Sequence, residues 1–302
     1  QAAGADMSAP PDAPGAVGIV GVGNMGGAMA ENLLARGWRV RVCDLDAAKV
    51  QRLKEKGAEP SANPSDIAIK NDVTIVCVVD AAQTEDVLFG PHGLAHGARA
   101  GHTVLLCPTI APEDVERFAA RLAAHGIHTL DAPMSGGPAR AREGRMSLMV
   151  AGAQPVVAAQ HGLLHALADP VFLVGERVGD GARTKLVNNL LAGILLVGAA
   201  EALALAERLG LDAARTLDVI ERSSGQSWIG TDRLRRALAG DTAPRAHVTL
   251  LAKDTRLAVA AAHAAGFTGP LGPAATAVFA RAVAAGLAEQ DDSALLQLLR
   301  GG

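Results

Sequence analysis

Lys185 and Asn189 stand four residues apart in GDGARTKLVNN (179–189), a spacing that puts both side chains on one face of a helix, where they can address one substrate. A lysine near a helix start is disfavoured by the helix dipole, as expected of a side chain kept for chemistry rather than stability. A second stretch, Ser135-Gly136-Gly137, follows a predicted strand. It can offer backbone N–H groups and one hydroxyl to a carboxylate, and it is also the composition of an ordinary turn. The third is Gly21-Val22-Gly23-Asn24-Met25-Gly26, which follows an apolar run and opens a helical pattern, the setting in which a glycine fingerprint binds a dinucleotide. Gly21 permits the tight turn, Gly23 lets a pyrophosphate approach the backbone, and Gly26 lets helix and strand pack closely, while Asn24 and Met25 begin a helix whose unpaired N–H groups face phosphate. Asp44 ends the next strand, 21 residues beyond Gly23, where a carboxylate accepts from both ribose hydroxyls and repels a 2′-phosphate. Leu45 and Asp46 follow with no arginine for such a phosphate, so NAD is expected rather than NADP, and Asp46 is the better helix cap.

The elements that must position these residues are legible as a rhythm. From Ala16 to about Val174, the runs AVGIVG, WRVRVCD, DVTIVCVVD, HTVLLC, GIHTLD and SLMVAG alternate with amphipathic Ala/Leu-rich segments such as 25–36 and 112–125, which end near Gly37 and Gly126. This predicts a doubly wound parallel sheet of the Rossmann type. After Gly179 the strand signals stop, and an all-α C-terminal domain is expected. We expect a tail over residues 1–14, disordered and with Met7 as its candidate first native residue, a nucleotide-binding domain over 15–177 and a helical substrate and oligomerisation domain over 178–302. A single helix over 182–209 would span roughly 40 Å and join the two, with its first turn at the interdomain cleft.

Composition narrows the classes. With 28 Lys plus Arg, 31 Asp plus Glu and a net charge of -3, nothing attracts nucleic acid or an acidic membrane. The apolar stretch 186–205 carries Asn188, Asn189 and Glu201, and is expected to be a buried helix between packed layers rather than a membrane span. The first fourteen residues have neither the basic nor the apolar part of a signal peptide. Cys43, Cys77 and Cys107 lack metal or disulfide spacing, which fits a reducing cytoplasm. The chain has no tyrosine, which excludes dehydrogenase chemistry through a Tyr hydroxyl. The pairs His92/His96 and His161/His165 have no third ligand, so surface positions and no metal are expected. Arg140, Arg142 and Arg145 can steer an anion, although solvated charge is the commoner role.

Four segments together, GVGNMGGAMAENLLARG (21–37), DAPMSGGPARAREG (131–144), GDGARTKLVNN (179–189) and KDTRLA (253–258), resemble the β-hydroxyacid dehydrogenase family, the 3-hydroxyisobutyrate dehydrogenase-like enzymes, in the family's order and over nearly the whole chain. Asp131, Pro133 and Gly144 match the pattern around Ser135. The resemblance implies that Lys185 is the general acid/base, that Asn189 helps hold the substrate, and that Ser135, Gly136 and Gly137 bind its carboxylate. It also implies that Lys253 reaches the nicotinamide side, that Thr109 in CPTIAP lies beside the nicotinamide ribose, and that the loop at Val79 covers the cofactor. Free lysine titrates near about 10.4, and burial or a second cation such as Lys253 would bring Lys185 toward working pH. Neutral Lys185 would then accept the hydroxyl proton as hydride leaves for nicotinamide. Dimers or tetramers are common in the family, and the Ala/Leu-rich helices here leave apolar surface for them.

Family members often carry an aromatic residue where this chain has Ala246, so a more polar pocket is expected, with Arg245 and His247 available to extra hydroxyls. TAPRAH (242–247) and LAEQDDSA (287–294) are similar to the L-threonate dehydrogenase branch, although interface or helix-capping sequence reads the same. Alternatives are 3-hydroxyisobutyrate oxidation and reduction of tartronate semialdehyde or glyoxylate. An imine reductase would lack Lys185, and a non-catalytic NAD-binding sensor would have lost Lys185, Asn189 or the Ser-Gly-Gly loop.

Overall fold

The computed structural model of the chain describes residues 14–301, so the expected tail lies, apart from Pro14, outside the described residues. The chain divides after Lys185 into two compact units.

Among the described residues the first unit is built on nine strands: β1 (Ala16–Val20), β2 (Arg39–Cys43), β3 (Glu59–Pro60), β4 (Val73–Val76), β5 (Thr103–Leu106), β6 (His128–Asp131), β7 (Met134–Ser135), β8 (Met146–Ala151) and β9 (Ala168–Gly175). They form one sheet in the order β3-β2-β1-β4-β5-β6-β8-β7, with β9 also paired to β8. The strands from β1 to β6 pair in parallel. All four residues of β4 and of β5 are buried, as a strand covered on both faces requires. The alternation of side chains then splits the core: Leu105 packs with Ile19, Met29 and Leu33 on one face, while Val104 and Leu106 pack with Phe118 and Leu122 on the other. This is the doubly wound arrangement expected from the sequence.

The sheet departs from that expectation at its far edge. β8 runs antiparallel to β6 and β7. Its link from β6 is no ordinary crossover: at Gly136 and Gly137, with φ of +118° and +77°, the chain turns into the short helix Gly137–Arg142 and comes back along the same edge. β3 and β7 are two residues long, too short to carry a periodic signal.

The second unit is helical: beyond Leu186 come the rest of the helix Asp180–Arg208, then Ala213–Glu221, Trp228–Leu238, Val248–Ala264, Leu271–Ala284 and Leu295–Arg300. Its core gathers Leu196, Ala200, Leu203, Leu217, Leu234, Phe279 and Leu295. Gly193 allows the helices to meet closely, because a Cβ there would stand 2.6 Å from Thr255 Cγ2. By length and composition alone the 29-residue helix Asp180–Arg208 could cross a membrane. Leu196, Ala200 and Leu203 instead belong to a folded core, while Val187, Leu191, Leu195 and Leu205 are exposed on the opposite face. The expectation of a helix buried all round is thus corrected to one buried on one face.

Candidate active site

The glycine run connects β1 to the helix Asn24–Ala35, and its geometry is dictated by contacts of the backbone. Gly21 has φ +87°, and a Cβ on it would lie 2.5 Å from the Cys77 carbonyl oxygen; a Cβ on Gly26 would lie 1.9 Å from that of Gly21. Gly23 is different: a Cβ there would meet nothing within 4 Å. The helix begins at Gly23 with no side-chain cap and no acidic residue in its first turn, so its leading N–H groups keep their attraction for an anion. Asp44, at the end of β2, accepts from Val22 N at 2.7 Å through one oxygen and from Asp46 N at 2.8 Å through the other. Asp46 caps the helix Ala47–Glu55 by accepting from Ala48 N at 3.0 Å. Leu45 beside it is fully exposed.

Val79 and Thr109 follow the C-terminal ends of β4 and β5, as Gly21 follows β1. The strand order reverses between β1 and β4, so these loops flank the crevice where an open α/β sheet receives its ligand. An uncapped helix start, open space before Gly23 and a carboxylate fixed on the loop are what a dinucleotide's pyrophosphate and ribose need. The residues present fit that group. Cys77 and Cys107 lie at the same strand ends, and burial pushes the Cys77 thiol up to about 12 and the Cys107 thiol well above its ordinary value. Neither is a thiolate nucleophile.

The Ser135 loop and Lys185 are joined by a residue to which the sequence assigned no role. Asp131, the last residue of β6, is 1% exposed and accepts from Gly179 N at 3.0 Å and Ala182 N at 2.8 Å, capping the helix that bears Lys185. Burial raises its carboxyl to about 6 against the opposing pull of those N–H groups. Lys185 and Asn189 are 7% and 9% exposed, unusual for such groups and in keeping with one shared face.

In the second unit, Asn189 Nδ2 donates to Asp254 Oδ2 at 2.6 Å, and Lys253 Nζ lies 3.3 Å from Asp254 Oδ1. Asp254 is 5% exposed, so the Lys-Asp pair is no solvated face. The segments TAPRAH and DDSA, 40-odd residues apart, prove to be one structure: Asp291 Oδ2 accepts from Arg245 N at 2.9 Å, and His247 bridges to Asp291 as a strand would. Arg236 Nη1 donates to Asp291 at 3.1 Å and Arg233 Nε to Asp292 at 2.6 Å. Arg245 itself turns to Asp241, and His247 Nδ1 pairs with the Glu289 carbonyl oxygen at 2.7 Å.

One expectation about the histidines is amended. His92 and His96 are exposed, but the His161 and His165 rings lie 4.5 Å apart, tilted by 43°, with both Nε2 atoms buried. Packing of the short helix His161–Leu167 against the first core, through Leu163, Leu164 and Leu167, draws the rings in. Among the described residues no group of three or more His, Cys, Asp or Glu is placed to hold a metal. Arg142 pairs with Glu31 and Arg145 with Glu143.

Residues 16–175 match the NAD binding domain of 6-phosphogluconate dehydrogenase, and residues 179–299 match the NAD-binding domain of NADP-dependent 3-hydroxyisobutyrate dehydrogenase. The chain is 38% identical to an L-threonate dehydrogenase of Cupriavidus necator, covering 94% of this chain and 96% of that one. It is 35% identical to a 3-hydroxyisobutyrate dehydrogenase of Pseudomonas aeruginosa, covering 94% and 98%. The solved structure of a 3-hydroxyisobutyrate dehydrogenase from Salmonella typhimurium superposes with a TM-score of 0.87 at 35% identity, over 94% of this chain and 99% of that one. With its nucleotide-binding sheet, helical second unit and family motifs, the chain belongs to the 3-hydroxyisobutyrate dehydrogenase-like family of NAD(P)-binding hydroxyacid dehydrogenases.

Proposed function

We propose that the protein oxidises the hydroxyl of a small 3-hydroxy carboxylic acid with NAD, using Lys185 as general base, and that L-threonate or a related sugar acid is its substrate. The observation that carries this reading is the pair Lys185 and Asn189, both more than nine-tenths buried and one turn apart on one helix. Ser135, Gly136 and Gly137 hold the substrate carboxylate through the hydroxyl and backbone N–H groups. Asn189 orients the substrate, and neutral Lys185 Nζ takes the proton of its hydroxyl. Bound NAD supplies the acceptor for the hydride of the same carbon. Gly21, Gly23, Asn24, Met25 and Gly26 receive the pyrophosphate, Asp44 the ribose, and Val79, Thr109 and Lys253 the nicotinamide end. Asp44, followed by Leu45 and Asp46 with no arginine, supports NAD over NADP.

The substrate choice is supported by the relatives named for L-threonate and by Ala246, where members of the family often carry an aromatic residue. The purified protein with NAD is tested on L-threonate, D-threonate, 3-hydroxyisobutyrate and D-glycerate by NADH absorbance. Fastest turnover of L-threonate is expected. A lead for 3-hydroxyisobutyrate would overturn the polar-pocket reading, and absence of turnover from all four would overturn the substrate class.

A homodimer or homotetramer is the assembly we infer. Val187, Leu191, Leu195 and Leu205 lie on one face of their helix and are all exposed, a contiguous apolar stripe that a second copy would cover. The three free cysteines support a reducing compartment, the cytoplasm.

A further inference from the structure

The first N–H groups of a helix have no partner within it, and a short polar side chain at the N-cap usually supplies one. The helix Asp180–Arg208 does otherwise. Its local acid, Asp180, is turned to Arg177 at 2.7 Å and Arg183 at 3.2 Å. The acceptor comes from Asp131, 48 and 51 residues earlier, with Oδ2 receiving both Gly179 N and Ala182 N. The fit leaves no slack. Gly181 stands so close that a Cβ would lie 2.9 Å from the Asp131 carboxyl and 2.7 Å from the Met149 carbonyl oxygen. Gly179 takes φ +104°, which only glycine adopts without strain.

The same strand that backs Gly181 also sets the Ser135 loop. Ser135 pairs with Ser147 and Met134 with Leu148 in β8, and Met149 N donates to the Pro133 carbonyl oxygen at 2.9 Å. Asp131 is four residues before Ser135 along the chain, and Lys185 is three after Ala182, less than one helical turn. One buried carboxylate therefore ties the element that carries Ser135 to the first turn of the helix that carries Lys185, all within the first unit.

We propose that Asp131 is a positioning residue: by capping the helix from β6 it sets where Lys185 stands relative to Ser135, Gly136 and Gly137. The proposal rests on the reading of Lys185 as the general base. Misplacement of a catalytic group by an ångström costs about a hundredfold in rate, so loss of the cap acts on turnover before it acts on binding.

The test compares Asp131→Asn, Asp131→Ala and Gly181→Ala with Lys185→Ala, in the full chain, by steady-state kinetics on the best substrate, NADH binding by fluorescence, and the isotope effect with substrate deuterated at the reacting carbon. Asp131→Ala and Gly181→Ala are expected to lower kcat about 30- to 100-fold, with KM and NADH affinity within about threefold and a larger isotope effect as hydride transfer becomes limiting. Asp131→Asn, which keeps one acceptor oxygen, should recover at least about a third of the lost activity on a logarithmic scale. Unchanged kcat in Asp131→Ala with only a lower Tm would overturn the proposal. Should Asp131→Ala fail to fold, Gly181→Ala decides it by the same criterion. Full activity in Lys185→Ala would remove the general-base reading, and the proposal with it; a dead Lys185→Ala beside fully active Asp131 variants would remove the positioning role alone.

Discussion

Asn189 donates its side-chain amide to Asp254 Oδ2 at 2.6 Å while its own Oδ1 accepts from Asn188 at 3.0 Å, so the orientation of this buried amide is fixed by its neighbours. A carboxylate only accepts, so the nitrogen must face Asp254. The partnership explains why an aspartate 65 residues away follows Lys253: it holds Asn189, and at 3.3 Å it also restrains the lysine.

Replacing Asp254 with Ala should therefore act through Asn189. Turnover of the best substrate is expected to fall about 10- to 100-fold, because a buried amide loses its charged acceptor and its preferred orientation. Asp254→Glu, with the same charge at a different reach, should fall less. Equal kcat/KM for wild type and Asp254→Ala would show that Asn189 needs no such support.

Lys185→Ala removes the proposed base and should lower kcat by about two to four orders of magnitude while NADH binding, measured by fluorescence titration, stays within about twofold. Small primary amines added to this variant should restore part of the rate. Wild-type turnover without the lysine would falsify its acid/base role.

Asp44→Ser combined with Leu45→Arg exchanges a carboxylate for a hydroxyl and puts a guanidinium where a 2′-phosphate would lie. The ratio of kcat/KM for NAD over NADP should drop at least about tenfold. Asp44 also receives Val22 N at 2.7 Å, so NAD affinity itself should weaken as the glycine loop loses that acceptor. An unchanged ratio would place ribose recognition at other residues.

Asp292 supplies a pH prediction. It is fully buried, and loss of hydration outweighs the attraction of Arg233, raising its carboxyl from 3.8 to about 6. A carboxyl raised on folding favours the protonated folded form, so its contribution to stability is complete below its unfolded value near 3.8 and is lost as pH rises through about 6. Asp292→Asn should flatten this part of the curve: the Tm of the variant minus that of wild type is expected to rise between pH 4 and pH 6, roughly the span from the unfolded to the folded value. Arg233 retains Asp232 at 2.6 Å in the variant, which limits the cost of the lost pair. A Tm difference independent of pH over this range would show that Asp292 stays ionised.

Features that depend on neighbours in the chain were legible beforehand. Gly21, Gly23 and Gly26 announce themselves because a tight turn into a helix needs small residues at fixed offsets, and the buried strands β4 and β5 because apolar runs bounded by polar turns have few other uses. Asp46 as the cap, rather than Asp44, follows from its place one residue before the helix. The far edge of the sheet was not legible. SLMVAG reads the same whether β8 runs parallel or antiparallel, and only the turn at Gly136 and Gly137 settles its direction.

Sequence alone determined that a dinucleotide fold precedes a helical unit and that Lys185 and Asn189 share a helix face, because 3.6-residue and two-residue periods and glycine spacings are local properties of the chain, while the family was legible through the resemblance of four motifs. Tertiary structure alone decided that Asp131 caps the helix of Lys185, that Asp254 holds Asn189, and that Asp291 clasps the Arg245 backbone. Those contacts join residues 46 to 65 positions apart, and a buried carboxylate finds its donors only when the packed core brings them within reach.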